Sequence, residues 1–173
     1  MDWNWDAISA ISQAIGSIAV VLSVLYLAVQ VYQSTRVAKL ATQDAAATAL
    51  RDVTKPLMEN AELERIWRLG LQDISALSVE ERARFFHAAY QFLKAFETIH
   101  FHFIYGLMDR QLFEGWHQLL RHYIVAPGFA HYWKLRPEMF SKRFRNFVNS
   151  LEPPADPRTV GTLFGEGGWQ VNH

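Results

Sequence analysis

Hydrophobic and polar positions divide the chain into stretches of different period. Ala7 to Thr35 form 29 consecutive positions without a charged side chain, dense in Ile, Val and Leu through the middle. As a helix this run exceeds the ~20 residues needed to cross the hydrocarbon core of a bilayer. No breaker follows Tyr32, and apolar positions continue through Val37, Leu40, Ala41, Ala45 and Ala49 toward Val53. The pattern therefore predicts one helix that leaves the membrane as a stalk. Pro56 is the first residue expected to bend or interrupt it.

Beyond the stalk the period stays helical. A short helix is predicted from Ala61 to Leu69, with Asn60 as its N-cap and Gly70 near its end. Ser78-Val79-Glu80-Glu81 reads as a capping box before the longest amphipathic run, Val79 to Tyr105. In that run Phe85, Ala89, Phe92, Phe96, Ile99 and Phe103 recur at three- and four-residue steps, which marks the core helix. Gly106 closes it, and Asp109 caps a further helix from Arg110 to Val125. After Pro127-Gly128, shorter helices are expected at Phe129 to Leu135 and Ser141 to Ser150. The fold class is all-α: a single N-terminal transmembrane helix continuing into a stalk, followed by a small cytoplasmic helical bundle. The expected divisions are 1–35 for the span, 36–58 for the stalk, 59–151 for the bundle and 152–173 for a tail rich in Pro and Gly.

Energy supports insertion. Ten strongly apolar residues between Ala14 and Tyr32 contribute about −4 kcal/mol in total at the centre of a bilayer, opposed by Gly16, Ser17, Ser23 and Gln30. A cleaved secretory signal requires a basic start and a shorter apolar stretch. This chain begins Met-Asp-Trp-Asn-Trp-Asp, and Trp3 and Trp5 suit the interfacial belt instead. No Lys or Arg precedes the span, whereas Arg36 and Lys39 follow it at the membrane surface, with Arg51 and Lys55 beyond. The positive-inside rule then puts the N-terminus outside and the bulk of the chain in the cytoplasm.

Charge is otherwise balanced, 17 basic against 17 acidic residues, so there is no nucleic-acid footprint. With no cysteine in the chain, disulfides, thiolate metal sites and Cys nucleophiles are excluded.

Several local patterns recur together: Tyr26-Leu27-Ala28-Val29-Gln30-Val31 with Gln33-Ser34-Thr35-Arg36, Leu63-Glu64-Arg65-Ile66-Trp67 with Gly70-Leu71, and Leu77-Ser78-Val79-Glu80-Glu81-Arg82. Gly106-Leu107-Met108-Asp109, Glu114-Gly115-Trp116, Pro127-Gly128 with Trp133, and Phe140-Ser141 complete the set. Across roughly residues 10–150 the chain resembles a group of uncharacterised bacterial membrane-anchored proteins. The resemblance implies a bacterial inner membrane and the architecture above, and supplies no chemistry.

Four constellations are candidates for function. Ser12, Gly16, Ala19, Ser23, Tyr26 and Gln30 follow alternating four- and three-residue steps, placing small and polar side chains on one stripe of the span. Such stripes let helices approach closely in lipid, although Ser and Thr also bond back to their own helix. Glu97 with His100, and Glu114 with His117, form two Glu-x-x-His pairs of the kind that di-iron bundles use together with two further carboxylates. Against this, seven histidines make chance pairs common, and Gly115 lies inside the second motif. The aromatics from Phe85 to Phe147 fill a small core or line a hydrophobic pocket. Finally, the segment from Tyr132 to Phe147 interleaves aromatics with Lys134, Arg136, Lys142, Arg143 and Arg145, which fits contact with anionic lipid or a solvated helix face.

No phosphate loop, nucleophile elbow or metalloprotease helix is present, and the sequence assigns no cofactor. The expected partners are the lipid bilayer and, through the stripe, a second copy or another membrane protein. The expected role is a scaffold, accessory or interaction protein acting through helix–helix contacts. The alternatives are a carboxylate and histidine metal enzyme, or a binding module for an amphiphilic small molecule.

Overall fold

The computed structural model describes residues 5–155, and all regular structure in them is helical. Six α-helices follow in order: α1 Trp5–Glu59, α2 Ala61–Gln72, α3 Val79–Ile104, α4 Arg110–Ile124, α5 Pro127–Leu135 and α6 Lys142–Asn149. Short 3-10 turns at Ile74–Ala76 and Pro137–Met139 join α2 to α3 and α5 to α6. The chain divides into two compact units, Met1–Ala41 and Thr42–His173.

The first unit is the apolar part of α1, long and apolar enough to cross a membrane. Trp3 lies outside the described residues, as does the side chain of Trp5, so the aromatic belt assigned to them has no structural account. Arg36 and Lys39 are exposed near the end of this unit.

The second unit begins inside the expected stalk, and here the structure differs from the sequence reading. Ala46 and Leu50 are buried, and Ala49, Val53 and Leu57 are packed against the core, so the last third of α1 belongs to the bundle. Pro56 does not interrupt α1; it sits within the final turn, and the helix ends at Glu59. A proline that near a helix end forfeits one backbone bond and leaves little helix beyond it to disrupt. Asn60 then restarts the chain: its amide N–H reaches the Pro56 carbonyl, and its side chain accepts from the amides of Glu62 and Leu63.

The other local signals act at short range. Ser78 Oγ accepts from the Glu81 amide at 3.2 Å while Glu81 Oε2 accepts from the Ser78 amide at 2.8 Å, a complete capping box. Glu81 also pairs with Arg65, tying α3 to α2. Gly106 adopts φ +69° and closes α3, and Asp109 caps α4 through the amides of Gln111 and Leu112.

The core is aromatic. Trp67 of α2 lies 5.5 to 6.1 Å, centroid to centroid, from Phe85, Phe92, Tyr123 and Phe129 of α3, α4 and α5. Two glycines permit that approach. A Cβ on Gly70 would enter the Phe85 ring, and a Cβ on Gly128 would land on the Gly70 carbonyl, so α2 and α5 meet backbone to backbone. A smaller cluster of Ala46, Ile99, Met108 and Phe113 joins α1 to α3 and α4. The start of the expected tail is held by Arg121, which donates to the carbonyls of Glu152 and Pro153 at 2.8 Å each; residues 156–173 lie outside the described set.

Candidate functional site

The stripe on α1 is exposed among the described residues. Tyr26 is 68% exposed, and a Cβ on Gly16 would meet nothing within 4 Å. Ser23 Oγ bonds back to the Ala19 carbonyl at 2.8 Å, as Ser17 does to Gln13. Both readings of a polar residue in a span are thus visible on one helix: the hydroxyl of Ser23 is satisfied locally, while the surface around Gly16 and Ala19 stays open.

The two Glu-x-x-His pairs occupy different surroundings. Glu97 sits where α3 meets the start of α6, accepting from Lys94 Nζ at 2.6 Å and from the Ser141 amide at 2.6 Å. Burial raises its carboxyl, but those hydrogen bonds outweigh it and hold Glu97 below the ordinary carboxylate range. Lys94 in turn lies 5.2 Å from the centroid of Phe140, a cation over an aromatic face. His100 stacks on Phe147 at 4.3 Å and 17°, and burial pushes its imidazole below the usual histidine value, with Glu97 opposing in part. Glu114 is exposed, holds Gln118 at 2.8 Å and stands 3.4 Å from His117 Nδ1.

Phe147 does bring the two histidines to one aromatic cluster, since His117 lies 5.7 Å from the same ring. Of the carboxylates, Glu114 stands beside His117, while Glu97 is engaged by Lys94 and the Ser141 amide. Among the described residues no three His, Asp or Glu side chains are placed to hold a metal ion. Glu97 instead works as a tether that caps the entry to α6 with its carboxylate.

The aromatics from Phe85 to Phe147 lie at different depths. Phe85, Phe92, Phe129 and Phe144 are fully buried. Of the clefts at the rim, two adjoin the segment from α5 to α6. One, of about 380 Å³, is bounded by His100, Phe101, Ile104, Tyr105 and Arg143; the other, of about 480 Å³, by Phe86, Tyr90, Tyr132, Arg136 and Met139.

No protein family, curated protein or solved structure matches this chain. Sequence reasoning missed the tether, because nothing local links Glu97 to a residue 44 positions later. It also read Gly70 and Gly128 as punctuation; glycines placed at three- and four-residue steps from buried aromatics were the available signal of close approach.

Proposed function

We propose that this is a single-pass protein of a bacterial inner membrane, with its N-terminus outside and its helical unit in the cytoplasm, acting as a scaffold or accessory subunit through helix–helix contacts of the span. One observation carries the reading. From Ile11 to Val31 every Ile, Val and Leu of α1 is 56–65% exposed, while the core of the second unit closes without them. An apolar surface of that length calls for lipid or a partner helix. Small residues at Gly16 and Ala19 offer a close approach, and the adjacent stripe of Ile8, Ile11, Ile15, Ile18 and Leu22 offers lipid a uniform aliphatic face. Orientation rests on Arg36 and Lys39 following a span that no basic residue precedes.

Crosslinking in native membranes tests the helix contact. The unmodified chain is expected to yield a dimer or a defined complex with another span. Gly16→Ile with Ala19→Ile is expected to abolish that product, and Ile11→Leu with Ile18→Leu to leave it intact. Monomer alone, with no other span retained in mild detergent, would remove the helix-contact reading. A reporter active only in the cytoplasm, fused after Ser150, is expected to be active; activity of a periplasm-specific reporter at that site instead would reverse the orientation.

A further inference from the structure

The segment 134–145 carries five cations, Lys134, Arg136, Lys142, Arg143 and Arg145, against the single acid Glu138. The fold sorts this segment by chemistry. Tyr132, Phe140 and Phe144 are buried and anchor it from within. Lys134, Arg136, Lys142 and Arg143 remain exposed, with Leu135 and Met139 exposed between them at 44% and 47%.

The patch continues onto the end of α3. Arg143 Nη1 donates to Tyr105 Oη at 3.2 Å, and its guanidinium lies 6.0 Å from the Tyr105 centroid. Beside Tyr105, Phe101 and Ile104 are exposed at 51% and 41%. Each of the two rim clefts thereby sets one guanidinium, Arg143 or Arg136, against an aromatic and aliphatic wall. The acid in the first cleft, Glu97, is already bonded to Lys94 and Ser141 and presents no free opposing charge.

We propose that this surface binds an anionic membrane, its cations meeting headgroup phosphates and Leu135, Met139, Phe101 and Ile104 entering the headgroup–acyl boundary. Charge complementarity selects the occupant. Cations alone would suit any polyanion, but cations interspersed with exposed apolar side chains match the layered chemistry of a lipid surface rather than a nucleic-acid backbone. The proposal rests on reading α1 as a membrane anchor, because an anchored chain holds its second unit near a bilayer at high effective concentration and a weak surface contact then suffices.

The absence of native cysteine allows a single labelled site in the full chain. An environment-sensitive fluorophore is placed by Leu22→Cys, Met139→Cys or Met58→Cys, and each protein is reconstituted into nanodiscs containing brominated lipid. The discs consist of phosphatidylcholine or of an equal mixture of phosphatidylcholine and phosphatidylglycerol. The label at 22 is expected to be quenched in both. The label at 139 is expected to be quenched only with phosphatidylglycerol, and the label at 58 in neither. Raised salt should abolish quenching at 139 in the otherwise unaltered chain, as should Lys134→Glu with Arg136→Glu and Lys142→Glu.

Quenching at 22 without quenching at 139 in anionic discs would overturn the surface and leave the anchor standing. Quenching at 139 with none at 22 would overturn the anchor and leave the surface. Quenching at 139 equally in neutral discs, or a response at 139 that grows with protein concentration in neutral discs as for a second copy, would also overturn the surface.

Discussion

Single residues decide how closely the helices of the second unit approach. Gly128 has no room for a side chain against the Gly70 carbonyl and Phe85, whereas Gly115 faces open space at an exposed position of α4. Gly128→Ala is therefore expected to destabilise the unit by about 1–3 kcal/mol, as overpacking does. Gly115→Ala is expected to stabilise it by up to about 1 kcal/mol through helix propensity. Urea unfolding of the two variants checks the contrast; equal effects would mean that the contact between α2 and α5 is looser than described.

A second residue-scale expectation concerns acid. Burial depresses His100 below its ordinary value of 6.5, so the unfolded chain takes up its proton first as pH falls. The stability tied to neutral His100 is fully present above pH 6.5 and is lost as pH falls through the lower folded value. Glu97, held below 4.5, contributes a second loss that begins only below that pH. His100→Gln is expected to flatten the first decline in urea midpoint and leave the second; an unchanged profile between pH 6.5 and 4.5 would contradict the assignment to His100. The sequence exposed His100 and Glu97 as a helical pair. It could not expose their partners, Phe147 and Ser141, which a long-range contact supplies.

Elements were legible where their ends are set locally. Asn60, Ser78, Gly106 and Asp109 act on backbone groups within three or four residues, and each bounds a helix as its chemistry requires. Ser78→Ala breaks one half of the capping box and is expected to cost about 1 kcal/mol of stability, measurable in the same urea assay; no loss would show that the Arg65–Glu81 pair alone fixes the start of α3. The stalk was less legible for a physical reason. Asp44 to Ala49 contains four alanines, which give a helix no strongly apolar face, so burial of Ala46 depends on the neighbours Ile99, Met108 and Phe113. Pro56 misleads in the same way, since its effect depends on how much helix follows it.

At the scale of the whole molecule, two exposed surfaces stand out among the described residues: the apolar length of α1, and the basic and apolar patch formed by segment 134–145 with the end of α3. The first was visible as an unbroken uncharged run. The second was visible only as an interleaving of aromatics and cations, and packing was needed to send one kind inward and leave the other outside. The central claim is that α1 crosses a bilayer, and cysteine accessibility tests it directly. Single cysteines are placed in turn from Asp6 to Lys39 in the full chain and treated with a membrane-impermeant maleimide in sealed right-side-out and inverted vesicles. The account predicts an unreactive block of about 20 residues, with Asp6 labelled only from the outer side and Lys39 only from the cytoplasmic side. Labelling of both ends from one side, or reactivity recurring every three or four residues throughout the apolar run, would contradict it.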